Sequence, residues 1–116
     1  MTPAQHETLA AGRWRAFSLV EQLANVGSEV ERALNWLDKR NPEYSQMAFL
    51  RALELLDLTI ADPRHRRRLK ELTRLREALL DFFMGDNTFK STGKSWRGYF
   101  YGFAYAAALM RTHSQP

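Results

Sequence analysis

Residues 62–83 read DPRHRRRLKELTRLREALLDFF, and this stretch decides the kind of fold that the chain forms. Asp62 and Pro63 supply a helix N-cap and a first-turn proline, which is tolerated where the backbone N–H has no intrahelical acceptor. Apolar residues then recur three or four positions apart, namely Leu69, Leu72, Leu75, Leu79, Phe82 and Phe83. The spacing predicts an amphipathic helix over 63–84 that buries this face, closed by Gly85 in a left-handed conformation.

The other side of this stretch carries a larger net positive charge than the whole protein. Between Arg64 and Glu77 there are seven Lys or Arg and two Glu, a net +5, whereas the whole chain carries +4. Like charges along one helix repel each other, and cations near its N-terminus oppose the helix dipole. The charge therefore indicates a polyanionic partner, and the residues expected to contact nucleic-acid phosphate are Arg64, Arg67, Arg68, Lys70 and Arg74. The alternative is a solvated face whose cations pair with acids of the same or a neighbouring helix.

The rest of the chain has the same helical periodicity, interrupted by short polar connections. Ser18 and Glu21 have capping-box spacing, although the first helix could begin earlier, near Arg13. Asn41 and Pro42 provide a second start signal. The predicted helices cover 13–39, 42–61, 63–84 and 96–111, after a tail over 1–12. Because short connections favour antiparallel neighbours, we predict an all-α, antiparallel four-helix bundle that forms a single domain over 13–112.

The last predicted helix is aromatic on nearly every side. The stripe expected to enter the core consists of Trp96, Phe100, Phe103, Ala107 and Met110. Tyr101 and Tyr105 lie on another side and are candidates for a protein interface, because a helix that is apolar all round must be covered all round. In the polar loop before this helix, Phe89 is expected to be the anchor.

The composition argues against several classes of protein. At 116 residues the chain is long enough for one domain, and with no cysteine it has no disulfide framework, zinc–thiolate site or thiol nucleophile. No apolar run approaches the roughly 20 residues that span a bilayer, and the first residues lack the pattern of a signal peptide. We therefore expect a cytoplasmic protein with no membrane partner.

Catalytic motifs are incomplete. Residues 92–95, TGKS, match the end of a Walker A loop, but Thr88 stands where that loop requires glycine. Glu54 and Asp57 have a spacing found in all-α pyrophosphohydrolases, yet no Glu-x-x-Glu pair precedes them. The three histidines are scattered along the chain, which argues against a shared metal site. We expect no enzyme, no catalytic residue, no metal and no cofactor.

Two segments in the middle of the chain resemble a known family. Residues 49–57, FLRALELLD, and residues 69–79, LKELTRLREAL, are similar to the central helices of the accessory variability proteins of diversity-generating retroelements. The related four-helix-bundle proteins encoded in 23S rRNA intervening sequences belong to the same group. The resemblance covers about residues 48–83 and rests on leucine and arginine placement. It implies a non-enzymatic, oligomeric protein with a basic surface that assists a reverse transcriptase and its template RNA.

The expected function is therefore that of a nucleic-acid-associated accessory protein. It would bind RNA or DNA phosphate through the basic helix, while the aromatic helix holds a homo-oligomer or docks a protein partner such as a reverse transcriptase. The alternative is a protein interaction module, for example a toxin-neutralising protein or a complex subunit, with no nucleic-acid role. A helical hydrolase or nuclease is the third possibility and lacks the residues for its chemistry.

Overall fold

The computed structural model describes residues 12–114, without the side chain of Ser114, and this range contains helices and no strand. The α-helices are α1 (Leu19–Asp38), α2 (Pro42–Ile60), α3 (Leu69–Met84) and α4 (Gly93–Ser114). A 3-10 helix, Pro63–Arg68, lies between α2 and α3. The prediction of an all-α helical bundle is confirmed. The predicted tail lies outside the described residues except for Gly12.

The capping box at the start of α1 is confirmed. The Ser18 hydroxyl accepts the backbone N–H of Glu21 at 3.2 Å, and the Glu21 carboxylate accepts the backbone N–H of Ser18 at 3.1 Å. These two bonds satisfy donors that a helix N-terminus would otherwise leave unpaired. Residues 12–14 form a separate helical turn that ends in a reverse turn before Ser18. The continuous helix therefore begins at Leu19 and not near Arg13.

The first three helices run up, down and up. Near the α1–α2 connection the Ser45 hydroxyl donates to the Ala33 carbonyl at 2.8 Å. The Phe49 ring near the start of α2 stacks on Phe83 near the end of α3, with ring centroids 4.6 Å apart. Each helix is thus antiparallel to the preceding one, as short connections require.

Helix α4 packs mainly along α1, again antiparallel. Near its start, Arg97 bonds to Asp38 at 2.9 Å and to Glu31 at 3.1 Å, both on the second half of α1. One turn later Phe100 lies directly on Gly27, where a Cβ atom would come within 2.7 Å of the Cβ atom of Phe100. Glycine at position 27 therefore allows the two helices to approach closely.

The core consists of the predicted apolar stripes with losses at the helix ends. Its largest fully buried side chains include Phe49, Leu56, Leu79, Val26 and Val30. Leu69 and Met110, which the predicted stripes include, are instead about two-fifths exposed, and so is Leu37 in the last turn of α1. Each lies in the first or last turns of its helix, where fewer neighbours cover it.

The basic segment departs from one regular helix. Residues 63–68 are 3-10, with a kink at His65 (φ −103°, ψ 20°), and the α-helix begins only at Leu69. Gly85 does follow the last turn of α3, but its φ of −106° and ψ of −157° are extended. The expected left-handed closure by Gly85 is therefore wrong.

The start of α4 uses the residues that resemble a Walker A loop. Thr92 and Ser95 cap the helix reciprocally, since each backbone N–H donates to the hydroxyl of the other at 3.0 Å. The helix consequently starts at Gly93, three residues before the predicted start. Phe89 does not anchor the preceding loop, because its side chain is 63% exposed. No helix within residues 12–114 is both long and apolar enough to cross a membrane.

Candidate nucleic-acid interface

The candidate site lies at the end of the bundle where α1 begins, α2 ends and the 3-10 helix leads into α3. We call this surface the basic end and define it by its exposed cations, which are Arg13, Arg15, Arg66, Arg67, Arg68, Lys70 and Arg74. Two separate segments of chain contribute to it. Their relative position is set by a group of buried polar side chains beneath them.

Asp62 is the centre of this buried group and is only 2% exposed. One carboxylate oxygen accepts the backbone N–H of Arg64 at 3.0 Å, which caps the 3-10 helix. The Arg64 guanidinium donates to the same carboxylate through Nε at 3.1 Å and through a terminal nitrogen at 2.6 Å. The Gln22 amide donates to it at 3.3 Å. A buried carboxylate requires such partners, because an unpaired charge is strongly destabilised away from water.

Gln22 joins the two segments that carry the basic end. Its amide nitrogen donates to the Trp14 carbonyl at 2.9 Å, and its amide oxygen lies 2.8 Å from His65 Nε2. Since the amide oxygen can only accept, Nε2 carries the proton of the ring. The Trp14 indole in turn donates to the Thr59 hydroxyl at 2.9 Å. Buried Trp14 therefore holds Arg13 and Arg15 against the end of α2, beside the 3-10 helix.

The two ionisable groups of this network titrate in ways that maintain it. Hydrogen bonds from Arg64 hold the pKa of Asp62 well below its usual range, although burial acts in the opposite direction. Burial lowers the pKa of His65, which the Asp62 charge opposes and the charges of Arg64 and Arg68 reinforce. Asp62 is consequently an anion and His65 a neutral donor near neutral pH.

Arg64 has a different position from the one expected. Its guanidinium is used internally, by Asp62 and by the Phe17 carbonyl at 2.8 Å. This corrects the expectation that Arg64 offers a free phosphate contact. It is a positioning residue, because it ties the reverse turn before α1 to the 3-10 helix.

The other four expected contacts face solvent. The side chains of Arg67, Lys70 and Arg74 make no hydrogen bond or ion pair with any residue of the described range. Arg68 lies 3.5 Å from Glu71, but both side chains are more than half exposed, and such a surface pair is weak. Arg76, by contrast, bonds to Asp57 at 2.7 Å and is not available. Four of the five predicted residues therefore remain open to an external anion.

Sequence reasoning missed Arg13, Arg15 and Arg66. Arg66 is exposed and has no ion-pair partner among residues 12–114, and the same holds for Arg13 and Arg15. The available signal was the RWR triplet at 13–15, in which two cations flank an apolar residue that is typically buried. The sequence does not show that this triplet lies near residues 66–70, because the two segments are distant in the chain and only the buried network brings them together.

The two tyrosines expected at a protein interface are exposed. Tyr101 is 69% and Tyr105 57% accessible, and their rings stack with centroids 6.4 Å apart. Helix α4 has no charged residue from Gly98 to Met110. Besides the two tyrosines, Gly98, Gly102, Ala104 and Leu109 of this segment are exposed to solvent. This uncharged face lies on the side of the helix opposite the core stripe.

Comparison of the chain with protein-family models, with curated proteins and with solved structures finds no match.

Proposed function

We propose that this protein is a non-enzymatic accessory protein that binds the phosphate backbone of RNA or DNA at its basic end. The observation that carries the proposal is the group of cations without intramolecular partners, Arg66, Arg67, Lys70 and Arg74. Close cations repel each other, and no carboxylate within residues 12–114 forms an ion pair with the side chains of these four. A phosphate backbone relieves it and also releases its own bound counterions.

The buried polar side chains beneath the cations hold them in a fixed arrangement. This arrangement favours a partner with regularly spaced phosphates over a flexible acidic segment of another protein. The Asp62 carboxylate, Gln22 and Trp14 fix two short segments relative to one another, so the arginines begin from a defined arrangement. Contacts from Arg and Lys to phosphate oxygens position a protein on nucleic acid and carry little sequence information. The proposed binding is therefore strongly salt-dependent and weakly selective for sequence.

A filter-binding titration with labelled RNA and DNA at several salt concentrations tests this function. The variant is the triple substitution Arg67→Gln, Lys70→Gln and Arg74→Gln. The slope of log affinity against log salt should become shallower by about 2 to 3, since each lost phosphate contact removes about 0.7 to 0.9. Both nucleic acids should lose affinity uniformly across sequences.

The matched control neutralises three exposed cations at the opposite end of the bundle, namely Arg40→Gln, Lys90→Gln and Lys94→Gln. Both triple variants have the same net charge, so any difference reports the location of the contacts. Equal losses in the two variants would mean that overall charge alone explains binding. Unchanged binding in the first triple would refute the proposal.

The protein partner is proposed to dock on the uncharged face of α4, through Tyr101 and Tyr105. Exposed aromatic residues without interspersed charges are typical of protein interfaces. A homo-oligomer is the proposed arrangement, and a reverse transcriptase is the partner that the family resemblance implies. Light scattering on the wild-type protein and on the Tyr101→Ser, Tyr105→Ser double variant tests the first point. A wild-type mass of one chain would exclude the homo-oligomer.

The same face supports the alternative function, a protein interaction module with no nucleic-acid role. The two functions differ in one measurement. A module of this kind gives no retention of RNA or DNA on the filter at low salt, whereas the proposed accessory protein is retained there and released as salt rises.

A further inference from the structure

The loop between α3 and α4 presents an aromatic side chain to solvent at the end of the bundle opposite the basic end. Phe89 is 63% exposed, and neighbouring Met84 is 54% exposed. Leu37, on the last turn of α1 at this same end, is 40% exposed and shares a shallow groove with Met84. These apolar side chains have no role in the core or in the basic end.

The loop holds Phe89 in this outward position through a dense set of hydrogen bonds. The Asp81 carboxylate accepts the backbone N–H groups of Thr88 and Phe89 at 2.8 and 2.9 Å. The Asn87 side chain accepts the N–H of Ser91 at 2.9 Å and donates to its carbonyl at 2.9 Å. The tip is thus a closed turn that carries an exposed ring.

Two residues of this turn adopt a backbone conformation that side chains disfavour. Asn87 has a φ of 53° and Lys90 a φ of 56°, both in the left-handed region. Asparagine tolerates this region, but lysine seldom occupies it. Strained backbone of this kind persists where the surroundings over-determine it, and it frequently accompanies function.

Every backbone N–H from Asn87 to Thr92 is already satisfied within the chain. Asn87 donates to the Asp81 carbonyl and Lys90 to the Asn87 carbonyl, each at 3.0 Å. Thr92 donates to the Ser95 hydroxyl at 3.0 Å, and Asp81 and Asn87 accept the remaining three. This matters because a backbone N–H that enters an apolar phase must find its acceptor within the protein.

The same end of the bundle carries cations without ion pairs. Arg40, Lys90 and Lys94 have no ion pair within the described residues, and Lys39 lies over the Trp36 ring at 5.0 Å. Among the acids at this end, Asp38 is paired with Arg97, and Asp81 is used by the loop. Glu43 and Asp86 remain exposed without a partner, so the free side chains here carry a net positive charge.

The sequence suggested no membrane partner, but from these features we propose that this end of the bundle docks on the surface of a lipid bilayer that contains anionic headgroups. Phe89 enters the interfacial region, and Lys90, Lys94 and Arg40 contact the headgroups. An apolar wedge combined with flanking Lys and Arg is the arrangement that peripheral proteins use, since each cation adds attraction to anionic lipid. The paired backbone N–H groups of the tip suit this occupant, because lipid tails accept no hydrogen bonds.

Co-sedimentation with vesicles of phosphatidylcholine, with and without phosphatidylserine, tests the proposal on the full chain. The wild type should pellet with the phosphatidylserine vesicles and not with phosphatidylcholine alone. Phe89→Ser should weaken that binding by about tenfold, and Phe89→Trp should retain it, because an exposed aromatic ring contributes through its burial. Since Phe89 contacts solvent, both variants should keep the wild-type circular dichroism spectrum and urea midpoint.

The two triple variants of the nucleic-acid test are also measured for vesicle binding, and here the second triple and not the first is expected to bind less. Substituting Arg40, Lys90 and Lys94 should lower vesicle binding, whereas substituting Arg67, Lys70 and Arg74 should leave its dependence on Phe89 unchanged. Phe89→Ser should leave RNA retention intact, so failure of one proposal is distinguishable from failure of the other. Equal vesicle binding by wild type and Phe89→Ser, or no binding by the wild type, would overturn the lipid proposal.

Discussion

The contact between Gly27 and Phe100 gives the sharpest test of how α4 is docked on α1. A Cβ atom at position 27 would lie 2.7 Å from the Phe100 Cβ atom and 2.8 and 2.9 Å from two carbons of its ring. Real Cβ atoms do not approach that closely. Rotation of the ring cannot remove the clash with the Phe100 Cβ atom, which is bonded to the backbone. In Gly27→Ala, α4 must therefore move away from α1.

The magnitude follows from two opposing effects. Replacing glycine by alanine inside a helix stabilises it by about 1 kcal/mol. Forcing an additional methyl into a packed contact typically destabilises by about 1 to 3 kcal/mol. We expect a net loss of about 1 kcal/mol in the free energy of unfolding for Gly27→Ala.

Gly102→Ala is the matched control, because it makes the same chemical change in the partner helix. Nothing lies within 4 Å of the position that its Cβ atom would take. The helical preference of alanine then acts alone, and the variant should be more stable than wild type by about 1 kcal/mol. The two variants should thus differ by about 2 kcal/mol with opposite signs.

Urea unfolding followed by circular dichroism measures both changes. With a typical dependence of about 2 kcal/mol per M urea, each midpoint should shift by about 0.5 M, downward for Gly27→Ala and upward for Gly102→Ala. The slope should stay constant. If Gly27→Ala is stabilised to the same extent as Gly102→Ala, α4 does not pack on Gly27 and the described arrangement of the two helices is incorrect.

Three further predictions concern the polar contacts. Asp62→Ala should reduce the free energy of unfolding by about 3 kcal/mol, because it removes a helix cap and charged hydrogen bonds to Arg64. Urea unfolding measures this change, and a loss below about 1 kcal/mol would contradict the prediction. The folded-state pKa of His65 lies below its unfolded value of about 6.5. The contribution of His65 to the free energy of unfolding should therefore be constant above that pH, and the free energy should decrease as the pH falls from 6.5 towards the folded pKa. His65→Gln should abolish this decline, and an unaltered pH profile would assign it to other groups. Arg97→Gln should destabilise by about 1 kcal/mol, with a smaller effect at high salt, because Arg97 bonds to partly exposed side chains near the end of α1; a salt-independent effect would indicate packing instead.

The helices were predictable from local patterns because each local signal has a local physical cause. Ser18 and Glu21 satisfy each other's backbone donors over one turn, so their spacing alone identifies the start of α1. The apolar stripes identify the buried faces for the same reason, since a period of 3.6 residues admits one inward side. These predictions lose accuracy at Leu69 and Met110, where burial depends on how far a neighbouring helix extends.

The 3-10 helix could not be predicted, although its sequence contained a correct start signal. Asp62 and Pro63 open a helix as expected, but the Asp62 carboxylate also binds the Arg64 guanidinium, and His65 turns inward to Gln22. Gln22 lies about forty residues earlier in the sequence. No propensity argument includes such a partner, because it becomes a neighbour only after α1 and α2 have packed.

The class of fold, the buried faces and the concentration of positive charge at residues 64–76 follow from local sequence, because composition and periodicity are properties of contiguous residues. Which of those charges remain open depends on the packing of the helices. It joined Arg64 to the Phe17 carbonyl and Arg76 to Asp57, and it added Arg13 and Arg15 to the basic end. The reason is physical: whether a charge is neutralised depends on distances of a few ångströms between residues far apart in the chain, and only packing sets those distances.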